Sequence, residues 1–500
     1  MFRIFGPPGT GKTTTLLDMV DGALGEGVPP SRIAFLAFTR KAAAEAKERA
    51  AVRFKLDPKQ DLPFFRTLHS FAYRSLAVQK QDLMQREHFD DLSRKIGVEL
   101  NVTNSFNPED GPALTHEHPV LGLINLSRLK KTALQEEYNN SDIEMPWVEV
   151  DYIDRAFQQY KKVNRLLDYT DMLALFAAEA DRICPSFDYC FLDEAQDLSP
   201  LQWDIAHVLD AKSKKMYVAG DDDQAIYKWA GADVDTFINL PGGSEVLEQS
   251  YRIPKAVHEV AQRIVSRIHR RFPKVYNPRP AQGTVQRLAS IEEIDMSEGT
   301  WLIMAQANYM LTPLATDLKS QGYLFERNGS RSISEKMSTA INGWEQLRAG
   351  NQVSLLTVQA IYSYMAGNNV RIARGKKKIL GDADDLFSLT KLQLEHGLLA
   401  TASMIWHEAL DKLPSADRAY ITALLRRGEK FNSKPRIRLS TIHQTKGGEA
   451  QSVVVFLDLT TAALKGNADD LHRVFYVAVT RTKENLFFIE PEDFTRAYDI

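Results

Sequence analysis

The sequence predicts an α/β protein with two lobes, each built on a parallel sheet and each interrupted by a mainly helical insertion. Two observations predict this class. Short apolar runs alternate with helical stretches, as in proteins whose parallel strands are joined by helices. These runs also fall into two groups along the 500-residue chain, which favours two lobes over one large sheet. A chain of this length has room for about three to four domains.

The candidate strands are the apolar runs themselves. The first group comprises Phe2–Phe5, Ile33–Phe38, Tyr189–Leu192 and Met216–Ala219. The second group comprises Val285–Leu288, Trp301–Met304, Arg438–Ile442, Ser452–Leu457 and Leu486–Ile489. The strand rhythm is missing from 76–168 and 332–434, where charged amphipathic patterns indicate helices. We therefore predict a first lobe at 1–75 and 169–248 with an insertion at 76–168, and a second lobe at 249–331 and 435–500 with a small insertion at 332–434.

Composition narrows the class of protein. Hydrophobic residues make up 44% and charged residues 25%, as in soluble globular proteins. No apolar run reaches the roughly 18 residues of a membrane span, and a glycine-rich loop interrupts the start before a signal peptide could form. The two cysteines, Cys184 and Cys190, fit neither a disulfide framework nor a zinc site, so we expect reduced core residues and a cytoplasmic location.

The net charge of -3 argues against a protein that wraps duplex DNA by overall charge. A nucleic acid would therefore have to meet local basic segments. The candidates are Arg40–Lys55, Arg263–Lys274 and Arg371–Lys378, although each of them is also explained as a solvated helix face. Composition alone leaves the partner open.

A glycine-rich loop follows the first candidate strand and precedes a helical pattern. Its sequence GPPGTGKTT fits the phosphate-binding pattern G-x-x-x-x-G-K-[ST] in the context that this pattern requires. Its glycines leave the backbone free to aim N–H groups at phosphate oxygens. Lys12 would neutralise the β- and γ-phosphates of ATP, and the Thr13 hydroxyl would bind Mg²⁺. The predicted nucleotide-binding residues are Gly6, Pro7, Pro8, Gly9, Thr10, Gly11, Lys12, Thr13 and Thr14.

Two further segments carry polar side chains at the ends of apolar strands. In YCFLDEAQDLSP, Asp193 is placed to hold Mg²⁺ and Glu194 to orient and deprotonate the attacking water. In VAGDDDQAIYKWAGA, the uncharged Gln224 can contact both a γ-phosphate and a water. Tyr227 and Trp229 lie just beyond it and could stack on nucleic-acid bases. The pattern predicts hydrolysis of a nucleoside triphosphate.

Two arginines, Arg252 in LEQSYRIP and Arg481 in VFYVAVTRTKENL, end apolar stretches. A cation of this kind would stabilise the charge that builds up on a transferred phosphoryl group. Each of them is alternatively a salt-bridged surface residue.

In order along the chain, the motifs resemble those of the UvrD/Rep/PcrA-like helicases of superfamily 1. The first half contains GPPGTGKTT (motif I), FTRKAAAEAKERA (Ia), RTLHSFA (Ib), LDEAQDLSPLQ (II) and AGDDDQAIYKWAGA (III). The second half contains LEQSYR (IV), LSTIHQTKGGEAQ (V) and FYVAVTRTKENL (VI). The resemblance implies two RecA-like P-loop lobes, 1A and 2A, with insertions 1B and 2B, which bind ATP and Mg²⁺ and move 3′→5′ on single-stranded DNA.

The resemblance also implies individual roles. Lys12, Asp193, Glu194, Gln224, Arg252 and Arg481 would be catalytic, the two arginines through the γ-phosphate. Tyr251 would stack on adenine and Glu449 would reach the ribose. The implied DNA-binding residues are Phe38, Arg40, His69, Tyr227, Trp229, Thr441 and His443.

The sequence departs from the family pattern at three points. The chain starts one strand before motif I, without the family's adenine-reading glutamine, so we expect relaxed nucleotide choice. Arg40 replaces the usual asparagine and adds a candidate phosphate contact. Gly448 loosens the turn before Glu449.

We therefore expect an ATP-dependent DNA helicase that acts on single-stranded and tailed duplex DNA and has repair or replication proteins as candidate partners. The sequence leaves the oligomeric state open, and a monomer could suffice because both arginines are in the same chain. The first alternative is a single-strand translocase or protein-displacing motor that does not unwind by itself, which the small 2B insertion favours. The second is a nucleotide-switched scaffold for a protein partner. Glu194, Gln224 and Arg481 argue against it, because a switch has less need of a hydrolytic set. A helicase–nuclease fusion is disfavoured, since no carboxylate-rich domain follows motif VI.

Overall fold

The computed structural model describes residues 1–38, 40–100, 102, 118–382, 384–431 and 433–500, except for the side chains of 40–42. The described residues form two compact units. The first unit comprises 1–283, 465–480 and residue 500, and the second comprises 284–464 and 481–499. Within the described ranges, no helix is both long enough and apolar enough to cross a membrane.

The first unit is built on a parallel sheet, which has six strands in the part of the chain that the structure describes. The strands are β1 Phe2–Phe5, β2 Ile33–Ala37, β3 Phe65–Thr67, β4 Phe187–Asp193, β5 Ser213–Gly220 and β6 Ser244–Val246. Their order is β3-β2-β4-β5-β1-β6, and all neighbours are parallel. β2 is buried at every position because helices cover both faces of the sheet, and it therefore reads as a continuous apolar run.

Helices surround this sheet and form the insertion. They are α1 Lys12–Gly25, α2 Arg40–Phe54, α3 Leu68–Ser75, α4 Arg86–Ile96, α5 Pro119–Lys130, α6 Leu134–Asn139, α7 Trp147–Asn164, α8 Tyr169–Ile183, α9 Pro200–Ala211, α10 Val234–Asn239 and α11 Lys255–Val265. Polar side chains fix several helix starts. The Asp168 carboxylate accepts a hydrogen bond from the third N–H of α8, and Ser199 caps α9 ahead of Pro200.

The insertion has a small core of its own, formed by apolar residues of α4, α5 and α7 such as Phe89, Ile124 and Ile153. Partly buried ion pairs attach it to the start of α8. Lys161 Nζ lies 2.5 Å from Asp168 Oδ2 and 2.6 Å from Asp171 Oδ2. Arg128 pairs with the same two carboxylates, and the cations hold the pKa of Asp168 well below its usual range.

The second unit carries a second sheet, which has seven strands within the described residues. The strands of this unit are β7 Thr284–Leu288, β8 Trp301–Ala305, β9 Phe325–Arg327, β10 Ser330–Arg331, β11 Val353–Ser354, β12 Leu386–Phe387, β13 Ile437–Thr441, β14 Ala450–Phe456 and β15 Thr482–Ile489. The large sheet has the order β10-β9-β13-β8-β14-β15-β7 and is parallel except for the β9–β10 hairpin. β11 and β12 form a separate antiparallel pair.

The later helices complete the chain. They are α12 Thr312–Ser320, α13 Glu335–Arg348, α14 Leu355–Ser363, α15 Leu389–Glu395, α16 Trp406–Ala409, α17 Ser415–Arg427, α18 Thr461–Lys465 and α19 Ala468–Val479. α13 to α17 lie in the predicted second insertion and pack into the same core as the large sheet through residues such as Trp344, Ile361 and Ile421.

The α/β class with parallel sheets is confirmed, and every predicted strand overlaps a strand of the structure. The boundary between the compact units differs from the predicted lobe boundary, because 249–283 and 465–480 lie in the first unit. The reason is packing of α11 against α19. The fully buried Arg473 of α19 also donates to the Asp222 carbonyl at 3.0 Å. The division into two lobes and two insertions otherwise stays a prediction.

Candidate nucleotide-binding site

The glycine-rich loop lies between β1 and α1, at the carboxyl end of a central strand. Gly9 and Gly11 have φ values of 74° and 82°, in the left-handed region that favours glycine. Lys12 lies across the loop and its Nζ donates to the Gly6 carbonyl at 2.9 Å. A Cβ on Gly6 would come within 1.9 Å of Lys12 Cγ, so the loop closes around this lysine only with glycine there. α1 begins at Lys12, directly after the loop, and the N-terminus of a helix is suited to binding phosphate.

The two predicted acids lie at the end of β4. Thr13 Oγ1 donates to Asp193 Oδ2 at 2.7 Å, which brings the predicted magnesium residues together. Asp193 is buried, and this burial together with the neighbouring charge of Glu194 raises its pKa to about 6. Glu194 has φ 56°, a left-handed conformation that costs a non-glycine residue about 1–3 kcal/mol and tends to occur at functional sites.

The hydroxyl and the carboxylate suit Mg²⁺, which prefers oxygen ligands and usually takes one or two carboxylates together with water and substrate phosphates. Among the described residues, no group of three or more His, Cys, Asp or Glu side chains is placed to hold a metal. A single hydroxyl and a single carboxylate leave the remaining ligand positions of Mg²⁺ to water and substrate phosphates.

A segment after β6 is bonded to the glycine-rich loop within the first unit. Tyr251 N–H donates to the Gly9 carbonyl at 2.9 Å, and Ser250 Oγ donates to the Pro8 carbonyl at 2.8 Å. A Cβ on Gly9 would lie 2.4 Å from Arg252 Cβ, so this close approach requires glycine. The structure thus places Arg252 beside the loop, while the Tyr251 side chain is 75% exposed.

Gln224 is buried after β5, where its Nε2 donates to Asp221 Oδ2 at 2.5 Å. Asp221 is in turn linked through the buried Gln196 to Glu194. Gln196 and Asp221 were not among the predicted site residues. The sequence does indicate that more polar residues lie near the site, because polar residues continue at the end of both strands. These are DEAQD from the last residue of β4 and DDDQ directly after β5.

Four predicted site residues lie in the second unit. Arg481 is buried directly before β15, and its carbonyl accepts a hydrogen bond from Ala450 N–H at 3.1 Å. Glu449 pairs with Lys483 at 2.5 Å. Thr441 ends β13, and His443 follows it with a pKa lowered by burial and by Lys446.

Three of the predicted DNA-binding residues form an aromatic row in the first unit. The rings of Phe38 and Tyr227 are stacked with centroids 6.0 Å apart, and those of Tyr227 and Trp229 are 6.2 Å apart. Trp229 is 58% exposed and lines a cavity of about 300 Å³ with residues of α5 such as Leu126. An exposed tryptophan beside an open apolar cavity is suited to contact with a flat ring.

The other two predicted DNA residues of this unit are placed differently. His69 is 3% exposed, and burial lowers its pKa to about 4, so the imidazole is neutral and internal. Its ring packs edge-on to Tyr169. Arg40 begins α2, but its side chain lies outside the described residues.

A parallel sheet with a phosphate-binding loop between its first strand and first helix defines the P-loop class of α/β proteins. The sequence profile of the UvrD/REP helicase N-terminal domain matches residues 2–242, and that of the UvrD-like helicase C-terminal domain matches residues 436–489. Together the two profiles match more than half of the chain. The chain belongs to the UvrD-like helicase family.

Several curated relatives are similar in sequence. The chain is 29% identical over 294 residues to the ATP-dependent DNA helicase PcrA of Leuconostoc citreum, a match that covers 54% of this chain and 38% of that protein. It is 28% identical over 283 residues to PcrA of Bacillus subtilis (strain 168), covering 53% and 37%. The matched part thus spans less than two fifths of the length of these relatives.

Solved structures with similarity to the chain include the helicase of PRRSV, with a TM-score of 0.33 and 13% identity over all of this chain and 54% of that one. A complex of the arterivirus nonstructural protein 10 helicase with DNA has a TM-score of 0.34 and 12% identity, covering 98% of this chain and 61% of that one.

Proposed function

We propose that this protein is an ATP-driven motor that moves 3′→5′ on single-stranded DNA and unwinds duplex DNA. One observation carries the proposal: the glycine-rich loop, Thr13, Asp193 and Glu194 are linked by hydrogen bonds at one edge of the first sheet. Membership of the UvrD-like family and similarity to PcrA helicases support DNA as the track. The motor would work on DNA in the cytoplasm.

In the proposed reaction, Lys12 and the N–H groups of the loop hold the phosphates of ATP, and Thr13 and Asp193 would hold Mg²⁺. When bound by these residues, Mg²⁺ would neutralise part of the phosphate charge. Glu194 orients the attacking water and accepts its proton. The remaining nucleotide-binding residues of the loop are Gly6, Pro7, Pro8, Gly9, Thr10, Gly11 and Thr14.

Residues outside the loop complete the proposed site. Gln224 contacts the γ-phosphate and the water, and Arg252 and Arg481 stabilise the charge of the transferred phosphoryl group. Tyr251 stacks on the base, for which its 75% exposure leaves the ring available. Glu449 binds the ribose.

The proposed DNA path includes the aromatic row Phe38, Tyr227 and Trp229, with Arg40, Thr441 and His443 as further contacts. Base stacking on aromatic side chains tolerates any sequence, as a motor that travels along DNA requires. The buried His69 would line this path from below the surface, where its ring packs against Tyr169.

Trp229→Ala is expected to weaken binding of a fluorescent single-stranded oligonucleotide about tenfold, because loss of one stacked base costs about 1–3 kcal/mol. Phe494→Ala is the matched control, since Phe494 is an exposed aromatic residue (73%) without a proposed role. Equal affinities of Trp229→Ala and the wild type would remove Trp229 from the DNA path.

The proposed function is tested by steady-state ATP hydrolysis with and without a single-stranded DNA oligonucleotide. We expect strong stimulation by DNA, and none in Lys12→Ala, which also controls for contaminating ATPases. A rate of ATP hydrolysis that DNA does not change would contradict a DNA-driven motor. It would favour a nucleotide-switched scaffold for a protein partner.

Unwinding and direction are tested with fluorescent duplexes that carry either a 3′ or a 5′ single-stranded tail. We expect ATP-dependent unwinding of the 3′-tailed duplex. DNA-stimulated hydrolysis without unwinding would leave a single-strand translocase, and unwinding only from the 5′ tail would reverse the proposed direction.

A further inference from the structure

A fully buried glutamine, Gln196, lies between the ends of β4 and β5. Its Nε2 donates to Glu194 Oε2 at 2.6 Å and to Asp197 Oδ2 at 3.1 Å. Its Oε1 accepts a hydrogen bond from Asp221 N–H at 2.9 Å. The amide can have only this orientation, because turning it over would set its oxygen against two carboxylates and its NH₂ group against an N–H donor.

Asp221 continues the connection to Gln224. The carboxylate of Asp221 accepts from Gln224 Nε2 at 2.5 Å and from Asp223 N–H at 3.3 Å. A continuous series of hydrogen bonds therefore runs from Glu194 through Gln196 and Asp221 to Gln224. Both ends of the series are residues to which we assign direct roles in ATP hydrolysis.

The surrounding packing leaves Gln196 a single position. A Cβ on Gly220 would lie 2.6 Å from Gln196 Oε1 and 2.9 Å from Phe237 Cζ, so the amide occupies the space that a side chain at 220 would need. Phe237 is itself fully buried. Packing of this kind holds a side chain in one rotamer.

The far end of the series is held by buried charge. Lys274 Nζ lies 3.3 Å from Asp221 Oδ1, 2.6 Å from Asp222 Oδ1 and 2.7 Å from Asp223 Oδ2. Arg271 forms a bidentate ion pair with Asp223, in which its Nε and Nη2 donate to the two carboxylate oxygens at 2.8 and 2.7 Å. These cations let Asp221 stay a strong acceptor for Gln224 although it is buried.

We propose that Gln196 is a positioning residue that fixes Glu194 directly and Gln224 through Asp221, so that the base and the γ-phosphate contact are aligned together. This inference rests on the proposed function, since it assumes that Glu194 and Gln224 act on ATP. Gln196 itself touches no reacting atom. It acts by holding groups in the geometry of the transition state, where small displacements cost large factors in rate.

The test begins with Gln196→Met, which keeps the volume of the side chain and removes its hydrogen bonds. We expect kcat for DNA-stimulated ATP hydrolysis to fall about 10- to 100-fold, as for displaced catalytic groups, while KM for ATP stays within about threefold. Gln202→Met is the matched control, because Gln202 is also a buried glutamine (4% exposed) and its side chain accepts a hydrogen bond from Ser199 N–H at the start of α9. An unchanged kcat in Gln196→Met would overturn the proposal.

A double-mutant cycle separates positioning from general packing. If Gln196 acts through Gln224, the losses in kcat caused by Gln196→Met and Gln224→Ala will not add in the double variant. Additive losses would mean that Gln196 acts independently of Gln224, against the proposal. Should Gln196→Met unfold, Gln196→Asn keeps the amide but is too short to reach both partners, and we expect the same loss of kcat from it.

The failure of this inference is distinguishable from failure of the proposed function. Wild-type protein without ATP hydrolysis, or hydrolysis that Glu194→Gln leaves intact, would contradict the proposed function. Hydrolysis that depends on Glu194 but is normal in Gln196→Met would contradict only the positioning role.

Discussion

Glu194→Gln is expected to slow ATP hydrolysis by about 10²–10⁴-fold, the range for loss of a general base, with nucleotide affinity nearly unchanged. The substitution keeps the size of the side chain, and its amide oxygen can still accept the hydrogen bond from Gln196. What it removes is the ability to take a proton from water. The measurement is a single-turnover hydrolysis rate beside the Kd of a fluorescent ATP analogue.

The matched control is Glu144→Gln, which changes an exposed glutamate of the insertion in the same way. It should hydrolyse ATP at the wild-type rate. If Glu194→Gln also retains that rate, Glu194 is not the base. Parallel loss of hydrolysis and of nucleotide affinity would instead assign it a role in binding.

Lys274→Met is expected to lower the free energy of unfolding by about 3–5 kcal/mol, the cost of leaving buried charges without their partner. Lys274 is 7% exposed and contacts three buried carboxylates at once. Burial raises the pKa of Asp222, whereas Lys274 and Arg271 lower that of Asp223 against the effect of its burial. The negative charge of the three carboxylates raises the pKa of Lys274. Urea unfolding followed by tryptophan fluorescence measures the loss.

The control for this prediction is Lys214→Met, which removes an exposed lysine that lies 2.7 Å from Asp188 and leaves Asp188 paired with Arg32. An ion pair made by an exposed lysine contributes about 0–1 kcal/mol, so little change is expected. The deficit of Lys274→Met should also shrink as the pH falls, because protonation removes the uncompensated carboxylate charge. No loss of stability would mean that the cluster does not depend on this lysine. A loss that is the same at every pH would mean that it does not arise from uncompensated carboxylate charge.

The sequence by itself determined the strands and the position of the phosphate-binding loop. Runs such as Ile33–Ala37 are apolar throughout because both faces of a parallel sheet are buried, and such runs are recognised without tertiary information. The strands that it missed, such as β3 and β6, are three residues long and too short for a periodic signal. Lys12, Thr13, Asp193 and Glu194 were identified because a fixed spacing and a strand end place them.

Only the tertiary structure decided which residues support these groups and how far each is buried. His69 stands in a motif that suggested a DNA contact, yet it is internal, because burial depends on what packs around α3. Gln196 and Lys274 contact Asp221 although they lie 25 and 53 residues away from it along the chain. No local sequence pattern predicts contacts between residues that are this far apart. Their roles follow from low-dielectric burial, where each polar group requires a partner and the fold supplies it from a distant segment.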